Sequence, residues 1–195
     1  GSEIRKEYGW DDKFVILHFG AMGKANGLDF LVDVAEKLKD NPEILFVILG
    51  DGSERSKIEQ MVENKKLDNV QLIESKPKSI LPKFIAACDI STVIFANYPI
   101  LEHNSANKFF DSLSAGKPIL LNYSGWQRKV IEENNAGFGC EQFNLDEYVE
   151  KVNQLLNQKD QLSEMGKSAR KLAENKFARD FISQKVLEFI ENIIN

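Results

Sequence analysis

Long apolar runs are missing from this chain of 195 residues. The longest, Ile44–Leu49, is six residues, against the ~20 needed to cross a bilayer as a helix. Cysteine is scarce. Cys88 and Cys140 stand in unrelated contexts without a C-x-x-C, so no disulfide framework is expected and a reducing, cytoplasmic compartment is. Histidine is limited to His18, in a strand-like run, and His103, in a loop-like one. Neither belongs to a His/Cys/Asp cluster at metal-ligand spacing, so no metal is expected. There is no G-x-S-x-G elbow and no Ser-His-Asp ordering. Positive charge is not in excess either: 25 Lys+Arg face 30 Asp+Glu, a net charge of −5. That excludes an extended nucleic-acid footprint and leaves room for one small basic pocket. No secretory leader is visible, and Gly1-Ser2 reads as a remnant of tag cleavage.

What is present is an ordinary globular balance, 43% hydrophobic and 28% charged, in a length suited to one domain. Short apolar runs alternate with amphipathic ones. Phe14–Phe19, Leu45–Leu49, Val70–Ile73, Ile90–Phe95 and Ile119–Leu121 read as strands, with Gly137–Gly139 a weak sixth. Between them, Leu28, Leu31, Val32, Ala35 and Leu38 recur at helical spacing. So do Ile58, Met61 and Val62, behind Ser53 as expected N-cap. Ile80–Cys88, Ala106–Ala115 and Gln127–Asn134 complete the crossovers. Strands buried on both faces and joined by helices imply a parallel, doubly wound, Rossmann-like α/β sheet of about six strands. Three helices are expected after it, over 145–156, 161–175 and 177–194. The last, with Phe181, Ile182, Val186, Phe189, Ile190 and Ile193, carries more apolar surface than this sheet can cover, so self-association through it is expected.

Ligands of such sheets bind beyond the carboxyl ends of the strands, where four loops fall. Gly20–Gly27 offers backbone amides and Lys24 to an anion, or is simply a flexible turn. Gly50–Ser53 is sufficiently explained as a turn. Ser75-Lys76-Pro77-Lys78 is a polar loop. Glu102–Pro118 says most. Asn104 or Ser105 can cap its helix, Lys108 and Asp111 share a helix face, and Lys108 sits at a helix N-terminus against the macrodipole. Trp10 is expected to pack in the lead segment, 1–12. Trp126 reads as core, or as a cover at the ligand edge.

Four pieces in order carry a resemblance: Gly20–Gly27, Ile48-Leu-Gly-Asp-Gly-Ser53, Asn69-Val-Gln-Leu72, and Asn104-Ser-Ala-Asn-Lys-Phe-Phe-Asp-Ser-Leu-Ser-Ala-Gly-Lys-Pro-Ile119. Met165-Gly166-Lys-Ser-Ala-Arg170 and a final amphipathic helix follow. From about Lys13 onward the chain resembles the C-terminal, nucleotide-sugar-binding half of a GT-B glycosyltransferase of family 4 (glycosyl transferases group 1). The resemblance implies a donor domain over 13–195, an absent N-terminal acceptor domain, and an isolated fragment without transfer activity. It implies a nucleoside diphosphate sugar of UDP or GDP type as substrate, no cofactor, and retention of configuration. Gly23 and Lys24 would contact the diphosphate, with Ser75 and Lys76 near the base and Asp111 on ribose. Ser105, Ala106, Asn107 and Lys108 would lie at the donor sugar and phosphates, Lys108 offsetting leaving-group charge.

The chain departs from the family in two places. Of two glutamates usually eight positions apart, Asp111 fills the second place, and the first falls on His103 beside Glu102. The first loop has no arginine. The Asn-Ser-Ala-Asn-Lys form is similar to bacterial surface-polysaccharide enzymes, whose often lipid-linked acceptors imply that the full-length protein meets the inner face of the membrane through its other half. A sugar-nucleotide epimerase or phosphorylase half, or a non-catalytic α/β binding module, are the alternatives.

Overall fold

Apolar runs closed by glycine build the sheet. In the computed structural model, which describes residues 1–194, they form β1 (Phe14–Ala21), β2 (Ile44–Asp51), β3 (Val70–Ile73), β4 (Ile90–Val93), β5 (Ile119–Leu121) and β6 (Gly137–Gly139). Asn195, the end of the expected domain, lies outside the described residues. The order is β3-β2-β1-β4-β5-β6 and every pairing is parallel. This is the doubly wound arrangement expected from the alternating pattern, with its strand order reversing between β1 and β4. Even the three-residue β6 is a true strand, paired through Ile119↔Gly137 to Leu121↔Gly139.

The helices are α1 (Ser2–Tyr8), α2 (Leu28–Lys37), α3 (Arg55–Asn64), α4 (Leu81–Ala87), α5 (Asn107–Ser114), α6 (Trp126–Glu133), α7 (Leu145–Leu156), α8 (Lys159–Leu172) and α9 (Arg179–Ile194). Alternation along β1 splits its side chains between two cores. Phe14 and Ile16 join Leu31 and Val34 of α2 and Tyr148 and Val152 of α7. Val15, Leu17 and Phe19 join Ile4 of α1 and Phe84 and Ile85 of α4. Phe109, Leu113 and Ile131 pack under β4 and β5 with Ala169 and Leu172 of α8.

The first twelve residues are built into this fold. Gly9, at φ 72°, ends α1 in the left-handed region. That turn drives Trp10 into full burial against Tyr8 and Phe84, with its Nε1 donating to Gln71 Oε1 at 2.6 Å. Arg5 donates to the carbonyls of Ala87 and Lys13, both at 2.5 Å, and pairs with Asp89 at 3.4 Å.

Three expectations are corrected. Ser53 does not cap α3; Glu54 holds the cap position. The turn is closed by backbone bonds instead, Glu54 N to Met22 O at 2.8 Å and Arg55 N to Gly52 O at 3.1 Å. Neither Asn104 nor Ser105 caps α5; Ala106 holds that position without a side-chain bond. The last helix starts at Arg179, not Phe177. A π turn, Ala173–Phe177, precedes it and places Phe177 against Phe109, Phe110 and Trp126.

Trp10→Ala is expected to cost about 3–5 kcal/mol, the range for a large buried aromatic. Urea unfolding checks it, and a loss below about 1 kcal/mol would mean that the lead segment is dispensable packing.

Candidate active site

The sheet opens where its order reverses. β1 pairs with β2 along its full length, from Phe14↔Ile44 to Ala21↔Asp51. With β4 it pairs only at Ile16↔Ile90 and Leu17↔Ser91. Beyond that point β4 is held to the other side. The buried Asn122, just after β5, accepts from Phe95 N and donates to Phe95 O, both at 2.9 Å. A side-chain amide thus continues the β4–β5 ladder and leaves a crevice beside the carboxyl end of β1.

Lys108, in the first turn of α5, projects into this crevice. It lies over Gly20, the next-to-last residue of β1, at a φ of 113°. A Cβ there would sit 3.6 Å from Lys108 Cε, an ordinary contact, so the positive φ rather than space calls for glycine. Lys108 Nζ is 3.3 Å from His18 Nε2. At the other end of the residue, the Lys108 carbonyl accepts from Ser112 Oγ at 2.6 Å. Because the Ser112 proton is used there, Ser91 Oγ is the donor in the buried 2.5 Å bond between Ser91 and Ser112. α5 is thereby registered on β4.

Burial pulls the Lys108 ammonium down to about 8. His18 is fully buried and lies well below the usual histidine range, first through burial and second through the Lys108 charge, opposed by the Thr92 backbone. Its buried Nδ1 makes no hydrogen bond of ordinary geometry, and the Thr92 backbone is its nearest polar support.

Asp111 stands one turn beyond Lys108, exposed on α5. Its carboxyl is raised by partial burial, opposed by Lys78 from the loop between β3 and α4. That loop also carries exposed Ser75 and half-buried Lys76. Ser105 and Asn107 are exposed and Ala106 half-buried at the start of α5. Glu102 is half-buried and His103 exposed, in a 3₁₀ turn over Pro99–His103. Gly125, at φ 108°, lets the Glu102 backbone press against the loop after β5. Trp126 Nε1 donates to the Asn104 carbonyl at 3.1 Å. The tryptophan therefore braces the segment leading into α5 and joins the aromatic cluster behind it.

Not every expected residue converges on Lys108. Lys24 is exposed on a 3₁₀ turn and lines a separate cleft of about 440 Å³ with Gly23, Lys57, Tyr98 and Phe143. The Gly23 amide donates to Asn26 Oδ1 at 3.2 Å, so a side-chain oxygen sits where an anion's oxygen was expected. The first loop is tied to both neighbours, by Met22 N to Asp51 O and Ala96 N to Ala25 O at 2.8 and 2.9 Å. A wider cleft of about 1160 Å³ lies at the opposite sheet edge. Two of its cations are committed to structure: Lys117 to the carbonyls of Ala86 and Cys88, Arg170 to Glu174 and the Ser114 carbonyl. Cys88 and Cys140 are buried thiols pushed up to about 12 by desolvation, unsuited to nucleophilic work.

His18 is the residue that sequence reasoning passed over. The available signal was one imidazole interrupting an otherwise apolar run immediately before a glycine turn. Asn122 carried no such signal, since its role depends on where β4 ends.

A lysine at the topological switch point of an α/β sheet stands where sheets of this kind take their ligands. Residues 2–172 match the family model for glycosyl transferases group 1, and the chain belongs to that family. It is similar to spore coat protein SA of Bacillus subtilis (strain 168), 25% identical over 97% of this chain and 52% of that protein. Alpha-D-kanosaminyltransferase of Streptomyces kanamyceticus is 23% identical over 91% of this chain and 45% of its own. The chain spans about half the length of these curated relatives. The structure of Anabaena HepE in complex with UDP shares the fold at a TM-score of 0.85 and 20% identity, over 98% of this chain and 52% of that one. The match confirms the half-GT-B sheet that the motifs implied, and it extends through the lead helix.

The charged form of Lys108 is penalised in the fold, with deprotonation near 8 against 10.5 for an ordinary lysine. The folded protein therefore binds fewer protons than the unfolded chain between those values, and stability rises with pH across that window. Lys108→Met is expected to raise the thermal midpoint near neutral pH. The gain should shrink as the pH climbs through 8 toward 10.5. Thermal unfolding of both proteins across the window checks the sign; a midpoint lowered by the substitution refutes it.

Proposed function

We propose that this chain is the donor-binding half of a family 4 GT-B glycosyltransferase that moves a sugar from a UDP-sugar to an acceptor with retention of configuration. The observation that carries the reading is the Lys108 ammonium held in the switch-point crevice at the start of α5, a helix without a side-chain cap. A helix N-terminus and a fixed cation together suit a diphosphate. Negative charge grows on the leaving diphosphate as the sugar bond breaks. A cation already in place stabilises that change more than the ground state.

In this reading Asn107 and the Ser105–Ala106 backbone receive phosphate and sugar beside Lys108. Asp111 accepts from ribose hydroxyls, and Ser75 and Lys76 lie along the base. The Gly23 amide exchanges Asn26 Oδ1 for a phosphate oxygen, and Lys24 is a second, outer cation. Glu102 and His103 border the sugar. UDP as the nucleotide is supported by structural neighbours solved with UDP, Anabaena HepE and pneumococcal GtfA. A role in bacterial surface polysaccharide is supported by relatives such as the Staphylococcus aureus poly(ribitol-phosphate) alpha-N-acetylglucosaminyltransferase. Among the described residues no helix is long and apolar enough to cross a membrane. A cytoplasmic protein working at the inner membrane face fits this reading.

Calorimetry of the chain with UDP, GDP and ADP tests the proposal. UDP is expected to bind best, with or without Mg²⁺. Asp111→Ala and Lys108→Ala should each weaken it about tenfold or more, the scale of a charge-assisted hydrogen bond. Unchanged UDP binding in both variants would overturn the assignment.

The acceptor half belongs to the same reading. α9 exposes Val186, Leu187, Phe189 and Ile193, each more than half accessible. The relatives are about twice as long as this chain, so the occupant we assign to that face is the remaining half of the polypeptide. Without it, two copies should pair weakly through α9. Sedimentation velocity is expected to show concentration-dependent association, abolished by Phe189→Asp with Ile193→Asp. A chain that stays monomeric at high concentration would remove this assignment.

A further inference from the structure

β1 is buried on both faces, and its apolar run would accept leucine or valine at position 18 without an orphaned atom. Histidine stands there instead, fully buried, with Nδ1 in no well-formed hydrogen bond and Nε2 3.3 Å from Lys108 Nζ. An ammonium has three donors and no acceptor. While Lys108 is charged, Nε2 must therefore be the acceptor and the ring proton must sit on Nδ1. The tautomer that serves Lys108 is the one that leaves a core donor without a well-formed bond, eased only by the Thr92 backbone. Packing alone gives no reason for that choice, since local rules are broken where a site requires it.

We propose that His18 is a positioning residue: its Nε2 accepts an N–H of Lys108 and holds the ammonium over the Gly20 turn, aimed across the crevice at the leaving diphosphate. The proposal rests on the reading of the crevice as the donor site. Three observations shape it. The contact bridges 90 positions of sequence and joins β1 to α5, the helix that follows β4. The lysine stem lies within van der Waals reach of Gly20 at the end of β1. The carbonyl of Lys108 is fixed independently through Ser112 and Ser91, so the residue is registered at both ends. A flexible side chain held at both ends loses less freedom when it meets its anion.

The groups facing the pair bear on its pH behaviour. Lys108 comes from α5 and His18 from β1. Asp111 lies one turn further along α5, with Lys78 acting on it from the loop after β3. A neutral acceptor favours the charged lysine. Loss of the imidazole should therefore lower the pH at which Lys108 gives up its proton. The low proton affinity of His18 keeps the ring an acceptor over the range in which Lys108 is charged.

The experiment uses the chain with ¹³C-labelled lysine, His18→Leu and His18→Gln. NMR titration follows Lys108, assigned by Lys108→Arg, and calorimetry follows UDP. In His18→Leu, the Lys108 proton affinity is expected to fall about tenfold and UDP to bind about tenfold more weakly near neutral pH. The thermal midpoint should not fall, because leucine suits the strand and removes the poorly bonded Nδ1. His18→Gln supplies an acceptor of similar reach and should stay within about threefold of the parent in both readouts. An unchanged Lys108 titration in His18→Leu overturns the proposal whatever UDP does. So does equal weakening of UDP by Leu and Gln. A shifted titration in a chain that ignores UDP would keep the pair and retire the donor-site reading, which separates the two failures.

Discussion

The candidate site depends on the parting of β1 from β4. Two parallel strands that stayed paired to their ends would leave no crevice, and a lysine above them would lie on the surface. Here β1 remains with β2 to Ala21, whereas its ladder with β4 stops at Leu17↔Ser91. The Asn122 amide, bonded to both backbone groups of Phe95, takes the continuing chain toward β5. Its cost is small, because every backbone group it meets is satisfied. The ligand edge of the sheet exists because one buried asparagine stands in for a strand residue.

Into that opening the fold admits two groups it would otherwise exclude. Lys108 is a cation at the wrong end of a helix, desolvated enough to lose its proton near 8. His18 is an imidazole in an otherwise apolar strand. Each is unfavourable alone; together the second supplies an acceptor for the first. An Nδ1–H without a well-formed bond is tolerable where two-sided burial of β1 and β2 side chains contributes about 1.5–3 kcal/mol apiece. Stability is spent where the chemistry is expected and recovered in the layers around it.

The outer parts of the chain follow the same division of labour. α1 and Trp10 close one core, and Arg5 stitches the lead to the chain between α4 and β4 and to the residue before β1. Phe177 closes another, joining Trp126, Phe109 and Phe110 behind α5. The aromatic cluster backs the helix that carries Lys108, so the rigid side of the site is its interior. The open side is the carboxyl edge, where Tyr98 and Ile100 are exposed. α9, with its unpaired apolar face, lies past the family-matched region.

Residue pattern alone determined the alternation of strand and helix, the parallel sheet, both boundaries of β5 and α7, and the loops that could hold a ligand. These are local properties: periodicity of two or 3.6, and glycine where the chain must turn. It also marked Lys108 and Asp111, because a charge misplaced on a helix is visible without coordinates. It gave Ser53, Asn104 and Ser105 to helix caps that Glu54 and Ala106 hold instead, the first beside a backbone bond to distant Met22. Only the tertiary structure decided that Gly23 faces Asn26, that Lys24 lies in another cleft, and that His18 lies under Lys108. Those outcomes depend on contacts between residues up to 90 positions apart, set by where β4 leaves β1. No pattern within a single element records where two elements separate.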